Sequence, residues 1–251
     1  MKLQGIYAEI TTPFDETGRI FRAKIEHNVE KWNRIGLAGY AVCGAAGEGP
    51  LLDAEETLAV FELVAKFAAQ GKTLIAATAR PGVHETVELI NRAAELGYHF
   101  ALLDAPAYPP ETVSLYLRAV ADRAGIPVLV RGADAPSHSN LPNVKLAWCA
   151  TGLWDDLQRG AAGAILSLAA AAPYAAIALW EAHRTREEDA GRDWQSRILP
   201  AGGLAARYGA AGVKHAMDLN AYYGGPPRLP FTSPAPAARI EIEEAFRDLK
   251  G

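Results

Sequence analysis

The chain has little of what marks a disulfide-stabilised, membrane-spanning or nucleic-acid-binding protein. Two cysteines among 251 residues, Cys43 and Cys149, are too few for a disulfide framework or a thiolate metal site. No segment reaches the ~20 consecutive apolar residues of a membrane span, because glycine, serine and proline interrupt the most apolar one, residues 161–180. The net charge is -4 and no basic stripe stands out, which argues against a nucleic-acid partner.

Signals for a metal or a nucleotide cofactor are also missing. The six histidines are scattered without the spacing of metal ligands, and no glycine-rich dinucleotide fingerprint follows the first predicted strand. Residues 1–5 contain no apolar stretch of the kind found in secretory signals. We therefore expect a cytoplasmic protein that needs no cofactor, binds no metal and contacts neither membrane nor nucleic acid.

Short apolar runs alternate with segments of helical periodicity over the first half of the chain. The runs lack polar alternation, which is typical of strands buried on both faces of a parallel sheet. Five such βα units precede residue 131, and the run at residues 160–168 is typical of a last barrel strand. The pattern predicts an α/β fold, a TIM-type (β/α) barrel with its helices outside. The predicted helices of this part are residues 20–35, 54–69, 84–96, 111–123, 153–158 and 173–184.

The alternation is interrupted between the fifth strand and the last one. Residues 131–143 have no helical period, and a single apolar run at residues 144–149 follows. We count seven strands where a regular barrel has eight, and a βα unit of ~30 residues cannot fit into this loop. The sequence thus predicts a barrel over residues 1–188 that lacks one βα unit around the sixth strand. Residues 189–251 form a predicted helical extension packed on the barrel, with helices at residues 193–208, 213–223 and 239–249.

The stretch at residues 40–50 combines an apolar strand, a loop of small residues and a helix start. Gly44, Ala45, Ala46 and Gly47 let the backbone approach a ligand closely, and successive N–H groups of such a loop can hold a carboxylate or phosphate. An ordinary βα turn has the same local pattern. Glu48 either orients the loop or a substrate, or complements the dipole of the helix that follows.

Several segments together resemble the dihydrodipicolinate synthase / N-acetylneuraminate lyase superfamily of class I aldolases. They are the TPF turn at residues 12–14, the loop at residues 44–48, the helix end at residues 91–97, and the late segments at residues 160–166 and 212–228. The segment from Gln195 to Arg228 is most similar to the 4-hydroxy-2-oxoglutarate aldolase branch. The resemblance covers nearly the whole chain except residues 131–144.

The resemblance implies a Schiff base between pyruvate and a barrel lysine, a proton-shuttle tyrosine on the fifth strand, and a G-[ST]-T-G-E loop that binds the substrate carboxylate. This chain departs from that pattern. Arg131 stands at the tyrosine position, and Ala45 and Ala46 replace the two hydroxyl residues of the loop. A guanidinium does not act as an acid or base at working pH, although it can bind a carboxylate with two hydrogen bonds.

The expected lysine has no counterpart in the matched segments. One alignment on Pro142, Asn143 and Val144 places Trp148 at the lysine position, and another makes residues 144–148 the seventh strand, with the sixth unit absent. Lys145 is the only lysine on a predicted barrel strand, so it is the candidate Schiff-base residue; the alternative is that it faces outward.

Two further residues enter through the resemblance. Tyr108 matches the tyrosine that family members contribute across a subunit interface, and Ile165 lies in the late matched strand as a substrate-binding candidate.

Three readings of function remain open at this point. The first is a lyase or aldolase that acts on a pyruvate-type 2-oxo acid. The second is a non-catalytic protein on the same barrel that binds a small carboxylate through Arg131 and the amides after Gly44. The third is a scaffold that only oligomerises. A barrel without one unit exposes apolar edges, so we also expect a homo-oligomer, a dimer or tetramer.

Overall fold

The computed structural model describes residues 3–131 and 144–249. Most of the loop expected at residues 131–143 therefore lies outside the described residues. The strands are β1 (Gly5–Glu9), β2 (Gly39–Val42), β3 (Thr73–Ala77), β4 (Phe100–Asp104), β5 (Val128–Arg131) and β6 (Gly163–Leu166). The helices are α1 (Arg22–Asn33), α2 (Ala54–Phe67), α3 (Val83–Glu95), α4 (Pro110–Ala121), α5 (Leu153–Gln158), α6 (Leu168–Ala171), α7 (Pro173–Thr185), α8 (Glu188–Leu219) and α9 (Pro236–Phe246).

The six described strands form one parallel sheet in the order β5-β4-β3-β2-β1-β6. The first strand lies between β2 and β6, so the beginning and the end of the strand series are neighbours. A sheet that returns to its first strand is curled as in a barrel, whereas an open doubly wound sheet ends on two remote edges. The expected barrel-type α/β architecture is thus confirmed at this level.

The run at residues 144–149 contributes one bridge rather than a full strand. Ala147 pairs in parallel with Ala164 of β6, and its carbonyl accepts the amide of Ile165 at 3.0 Å. This run therefore lies beside the last strand, on the side of β6 that faces away from β1.

Two layers of apolar side chains hold the sheet. One layer lies inside the curl and contains Tyr7, Ile75, Leu102 and Ile165; the other lies between the sheet and the helices. Complete burial of a side chain of this size contributes roughly 1.5–3 kcal/mol each. The sheet is therefore covered on both faces, as the uninterrupted apolar runs predict.

The C-terminal extension differs from the prediction in one respect. The helices expected at residues 193–208 and 213–223 are a single element, α8, with one break at Gly209, where φ is 55° and ψ is -145°. Its end is fixed to α1, because Asn28 exchanges two 2.8 Å hydrogen bonds with the backbone of Tyr223. None of the described helices is long and apolar enough to cross a membrane.

Candidate functional site

The alternation of side chains along the strands decides which residues reach the carboxyl-terminal end of the curl. Tyr7 points inward, so Glu9, two residues later at the end of β1, lies on the same face. Leu102 and Leu129 are likewise inward, which places Asp104 and Arg131 above them at the ends of β4 and β5. These three charged groups meet although they are far apart in the chain.

Arg131 binds two carboxylates at once. Its Nη1 and Nη2 donate to Oε2 and Oε1 of Glu9 at 3.1 and 3.0 Å. Its Nε and Nη2 donate to Oδ1 and Oδ2 of Asp104 at 2.5 and 3.0 Å. The guanidinium carbon also lies 5.9 Å from the ring centre of Trp148, in the run beside β6. All three nitrogens of the guanidinium therefore donate hydrogen bonds to carboxylates, and one aromatic ring lies next to the group.

The charges of this cluster are partly buried. The side chain of Glu9 is 5% exposed and that of Arg131 is 17% exposed, whereas that of Asp104 is 47% exposed. Burial alone lowers the pKa of Arg131, but the hydrogen bonds that it donates to Asp104 and the charge of Glu9 outweigh burial and hold the pKa above its ordinary value. Arg131 is therefore a fixed cation at the strand ends and no proton shuttle.

The small-residue loop after β2 packs directly against Glu9. A Cβ on Gly44 would lie 2.2 Å from Oε1 of Glu9, so only glycine allows the carboxylate to sit there. The hydroxyl of Thr12 holds the loop by donating to the carbonyl of Gly47 at 2.6 Å. The loop thus has a carboxylate against its backbone, and this carboxylate belongs to the chain itself.

A second buried ion pair supports the loop from below. Nζ of Lys214 on α8 lies 2.5 Å from Oε1 of Glu48, and both side chains are almost completely buried. The amino group also donates to the carbonyl of Pro226 at 3.0 Å and lies 4.3 Å from the ring centre of Phe14. Burial lowers the pKa of Lys214, and the charge of Glu48 counteracts part of this effect.

Arg228, in the segment after α8, fastens the same loop to α2. The backbone N–H of Arg228 donates to Oε2 of Glu48 at 2.8 Å, and its guanidinium makes two 2.6 Å hydrogen bonds to Glu56. Hydrogen bonding to Arg228 lowers the pKa of Glu56. Glu56 also belongs to a capping box with Asp53 at the start of α2. Glu48 therefore holds the loop to α8 and to the segment after it, which favours the reading in which it orients the loop.

The structure brings some of the predicted site residues together and separates others. Gly44 and Arg131 meet through Glu9, and Ala45 is exposed in the same loop beside buried Ala46 and Glu48. Ile165 is fully buried in the interior layer below the cluster.

Two predicted catalytic residues lie elsewhere. Tyr108 is 37% exposed and donates to the carbonyl of Pro81 at 2.9 Å. Lys145 is exposed, and its amino group donates to the carbonyl of Arg159 at 3.4 Å, where α5 ends. The carbonyl of Lys145 accepts the amide of Ala162, just before β6 begins, so this lysine lies near the amino-terminal end of that strand.

Glu9, Asp104 and Lys214 have no role in the sequence analysis. Each of the two acidic residues is the last residue of an apolar strand. The alternation of side chains could have found them, because the residue two positions earlier in each strand faces inward. Lys214 offers no local signal, because its partner Glu48 lies far away in the chain. Among the described residues, no group of three histidine, cysteine, aspartate or glutamate side chains is arranged to hold a metal ion.

These features define a class of protein: a parallel β/α fold of the barrel type with its charged groups at the carboxyl-terminal ends of the strands. Barrel proteins of this kind carry their ligand sites at this end. The comparisons with known proteins agree. The model of the dihydrodipicolinate synthetase family matches residues 2–146, which is more than half of the chain, and the chain belongs to this family.

Individual relatives confirm the resemblance and extend it over the whole chain. The "Probable 4-hydroxy-2-oxoglutarate aldolase, mitochondrial" of Emericella nidulans is 28% identical over 290 residues, covering 97% of this chain and 94% of the relative. The dihydrodipicolinate synthase of Aquifex aeolicus superposes with a TM-score of 0.89 at 22% identity, covering 98% of both chains. An N-acetylneuraminate lyase of Mycoplasma synoviae gives a TM-score of 0.86 at 21% identity, again covering 98% of both chains.

Proposed function

We propose that this chain binds a small carboxylate at its strand ends, without Schiff-base chemistry. One observation carries the proposal: Arg131 already holds the carboxylate of Glu9 by two hydrogen bonds, against the backbone of Gly44. Two parallel hydrogen bonds from a guanidinium are the usual way in which arginine selects a carboxylate. A ligand carboxylate can use the same kind of contact.

The distribution of lysines supports the non-catalytic reading. A Schiff-base lysine needs an amino group that reaches the substrate and is neutral often enough to attack it. Lys145 is exposed beside α5, and Lys72 donates to the carbonyls of Ile35 and Leu37. Burial lowers the pKa of Lys214, as it does that of Lys72, but Lys214 is enclosed by Glu48 and neighbouring atoms. Among the described lysines, none presents a free amino group to the Arg131 cluster.

We also propose that one βα unit is absent between β5 and the run at residues 144–149. The parallel bridge of Ala147 to Ala164 supports this proposal, because the seventh strand of a barrel would lie in the same way beside the last strand. The alignment with the Emericella relative spans 290 residues, whereas this chain has 251, so at least 39 positions have no counterpart here. A βα unit occupies ~30 residues or more. The unit that would be lost is the one expected to carry the Schiff-base lysine.

The test combines calorimetry with chemical trapping. Pyruvate binding is titrated by isothermal calorimetry for the wild type, for the double variant Glu9→Gln/Arg131→Gln and for the matched control Arg118→Gln on the surface of α4. The double variant keeps a neutral pair of amides in the cluster, so loss of binding there does not reflect a stranded charge. We expect binding in the wild type and in Arg118→Gln, and none in the double variant.

Borohydride reduction in the presence of pyruvate, followed by intact mass and peptide mapping, addresses the chemistry. We expect no adduct. A stable adduct at Lys145 or Lys214 would establish the alternative function, a lyase with a relocated lysine, which membership of the family favours. Equal pyruvate affinity in the wild type and the double variant would refute Arg131 as the anchor.

A further inference from the structure

The two carboxylates bound to Arg131 differ in the free energy needed to displace them from the guanidinium. Glu9 is 5% exposed, and Arg131 is its ion-pair partner among the described residues. A ligand that took its place would leave a buried, unpaired charge, which is strongly unfavourable. Asp104 is 47% exposed and can turn towards water. An incoming carboxylate therefore exchanges with Asp104 and not with Glu9.

This exchange fixes the position of the ligand. Its carboxylate takes the edge of the guanidinium formed by Nε and Nη2, which Asp104 now occupies, while Glu9 keeps the adjacent edge formed by Nη1 and Nη2. Asp104 and Arg131 are register partners on adjacent strands, so the displaced carboxylate stays close to the bound ligand. Trp148 adds an aromatic surface next to the same guanidinium.

A simple oxo acid gains little from this exchange, because one carboxylate replaces another on the same arginine. It also places its negative charge between Glu9 and the displaced Asp104, which repel it. A ligand with an ammonium group beside its carboxylate replaces one ion pair by two: carboxylate to Arg131 and ammonium to Asp104. We propose that the strand-end site is selective for zwitterionic ligands, amino acids, over the corresponding 2-oxo acids. This inference rests on the proposed function and names the ligand class of the same site.

The experiment compares three molecules of equal size that differ in one group. L-alanine carries an ammonium, L-lactate a hydroxyl and pyruvate an oxo group at the same carbon. Each is titrated by isothermal calorimetry into the wild type, into Asp104→Asn and into the control Asp122→Asn, an exposed aspartate at the end of α4.

We expect the wild type and Asp122→Asn to bind L-alanine about fivefold more tightly than L-lactate or pyruvate. This ratio of affinities corresponds to the free energy of one solvent-exposed ion pair. In Asp104→Asn the order reverses. L-alanine loses its ammonium partner, while pyruvate binds more tightly because the competing carboxylate of Asp104 is gone. The comparison of L-alanine with L-lactate in the wild type does not depend on how well the variant folds.

The outcomes separate the two proposals. Wild-type binding of pyruvate or L-lactate at least as tightly as L-alanine refutes selectivity for zwitterions and leaves the carboxylate site in place. An unchanged preference for L-alanine in a folded Asp104→Asn variant refutes the role of Asp104. Failure of all three molecules to bind the folded wild type overturns both proposals.

Discussion

The pair of Glu9 and Arg131 predicts a measurable asymmetry between its two members. Arg131→Gln leaves the carboxylate of Glu9 buried without its ion-pair partner. Truncating one partner of a buried ion pair costs about 3–5 kcal/mol of stability. We expect Arg131→Gln to lose about 3 kcal/mol, because the new amide still offers a hydrogen-bond donor. Glu9→Gln costs only about 1 kcal/mol, since Arg131 keeps Asp104 and the amide oxygen can still accept.

The double variant Glu9→Gln/Arg131→Gln measures how strongly the pair is coupled. Two neutral amides can bond to each other, so we expect a total loss of about 2 kcal/mol, less than the sum of the single losses by about 2 kcal/mol. For a chain of this length, 1 kcal/mol corresponds to roughly 2–4 °C in Tm. Arg131→Gln should therefore lower Tm by roughly 9 °C and the double variant by less.

Urea denaturation at pH 7 and 25 °C gives the free energies of unfolding of the wild type, the two single variants and the double variant. Equal m-values show that all four proteins expose the same surface area on unfolding. Asp104→Asn serves as the internal comparison and should cost no more than about 1 kcal/mol, because this carboxylate is half exposed. A coupling energy below about 0.5 kcal/mol would refute the buried pair. So would a larger loss from Asp104→Asn than from Arg131→Gln.

Three further variants test other parts of the site by the same denaturation assay. Lys214→Met strands the buried carboxylate of Glu48 and should cost about 3 kcal/mol; a loss under 1 kcal/mol contradicts that pair. Gly44→Ala drives a methyl group into Glu9, 2.2 Å away, and should cost about 1–3 kcal/mol; a neutral effect would show that the carboxylate lies elsewhere. Burial holds the pKa of Tyr98 well above 10, so the unfolded chain loses this proton first and stability falls as pH rises above 10. Tyr98→Phe should make that decline shallower by up to about 1.4 kcal/mol per pH unit, and an unchanged slope contradicts the burial.

The sequence predicts the βα alternation well because each element carries its own local signal. The helix expected at residues 84–96 is found at Val83–Glu95, and the one expected at residues 153–158 is found there. The apolar periodicity lies within these segments, so no distant contact is needed to recognise them. The helix boundaries in the C-terminal extension are harder to predict. Gly209, with its positive φ, bends α8 without the loop that two separate helices would require.

The candidate site was predicted only in part, because its charges pair across large distances in sequence. Arg131 could be singled out by its position in the resemblance, but its partners could not. Glu9 and Asp104 each look like an ordinary strand end, and only the register of β4 against β5 and the curl of the sheet bring them to Arg131. The same holds for Lys214 and Glu48, which meet because α8 packs beneath the loop after β2.

The charged residues of this site depend on one another. An arginine at an inward position at the end of β5 needs a carboxylate partner, and Glu9 supplies one from β1 with two hydrogen bonds. Glu9 in turn needs Gly44, because any side chain there would collide with its carboxylate. The variant Arg131→Tyr alone would therefore leave Glu9 buried and unpaired. The cluster of Glu9, Arg131 and Asp104 is thus a connected unit, in which a change at one position requires changes at the others.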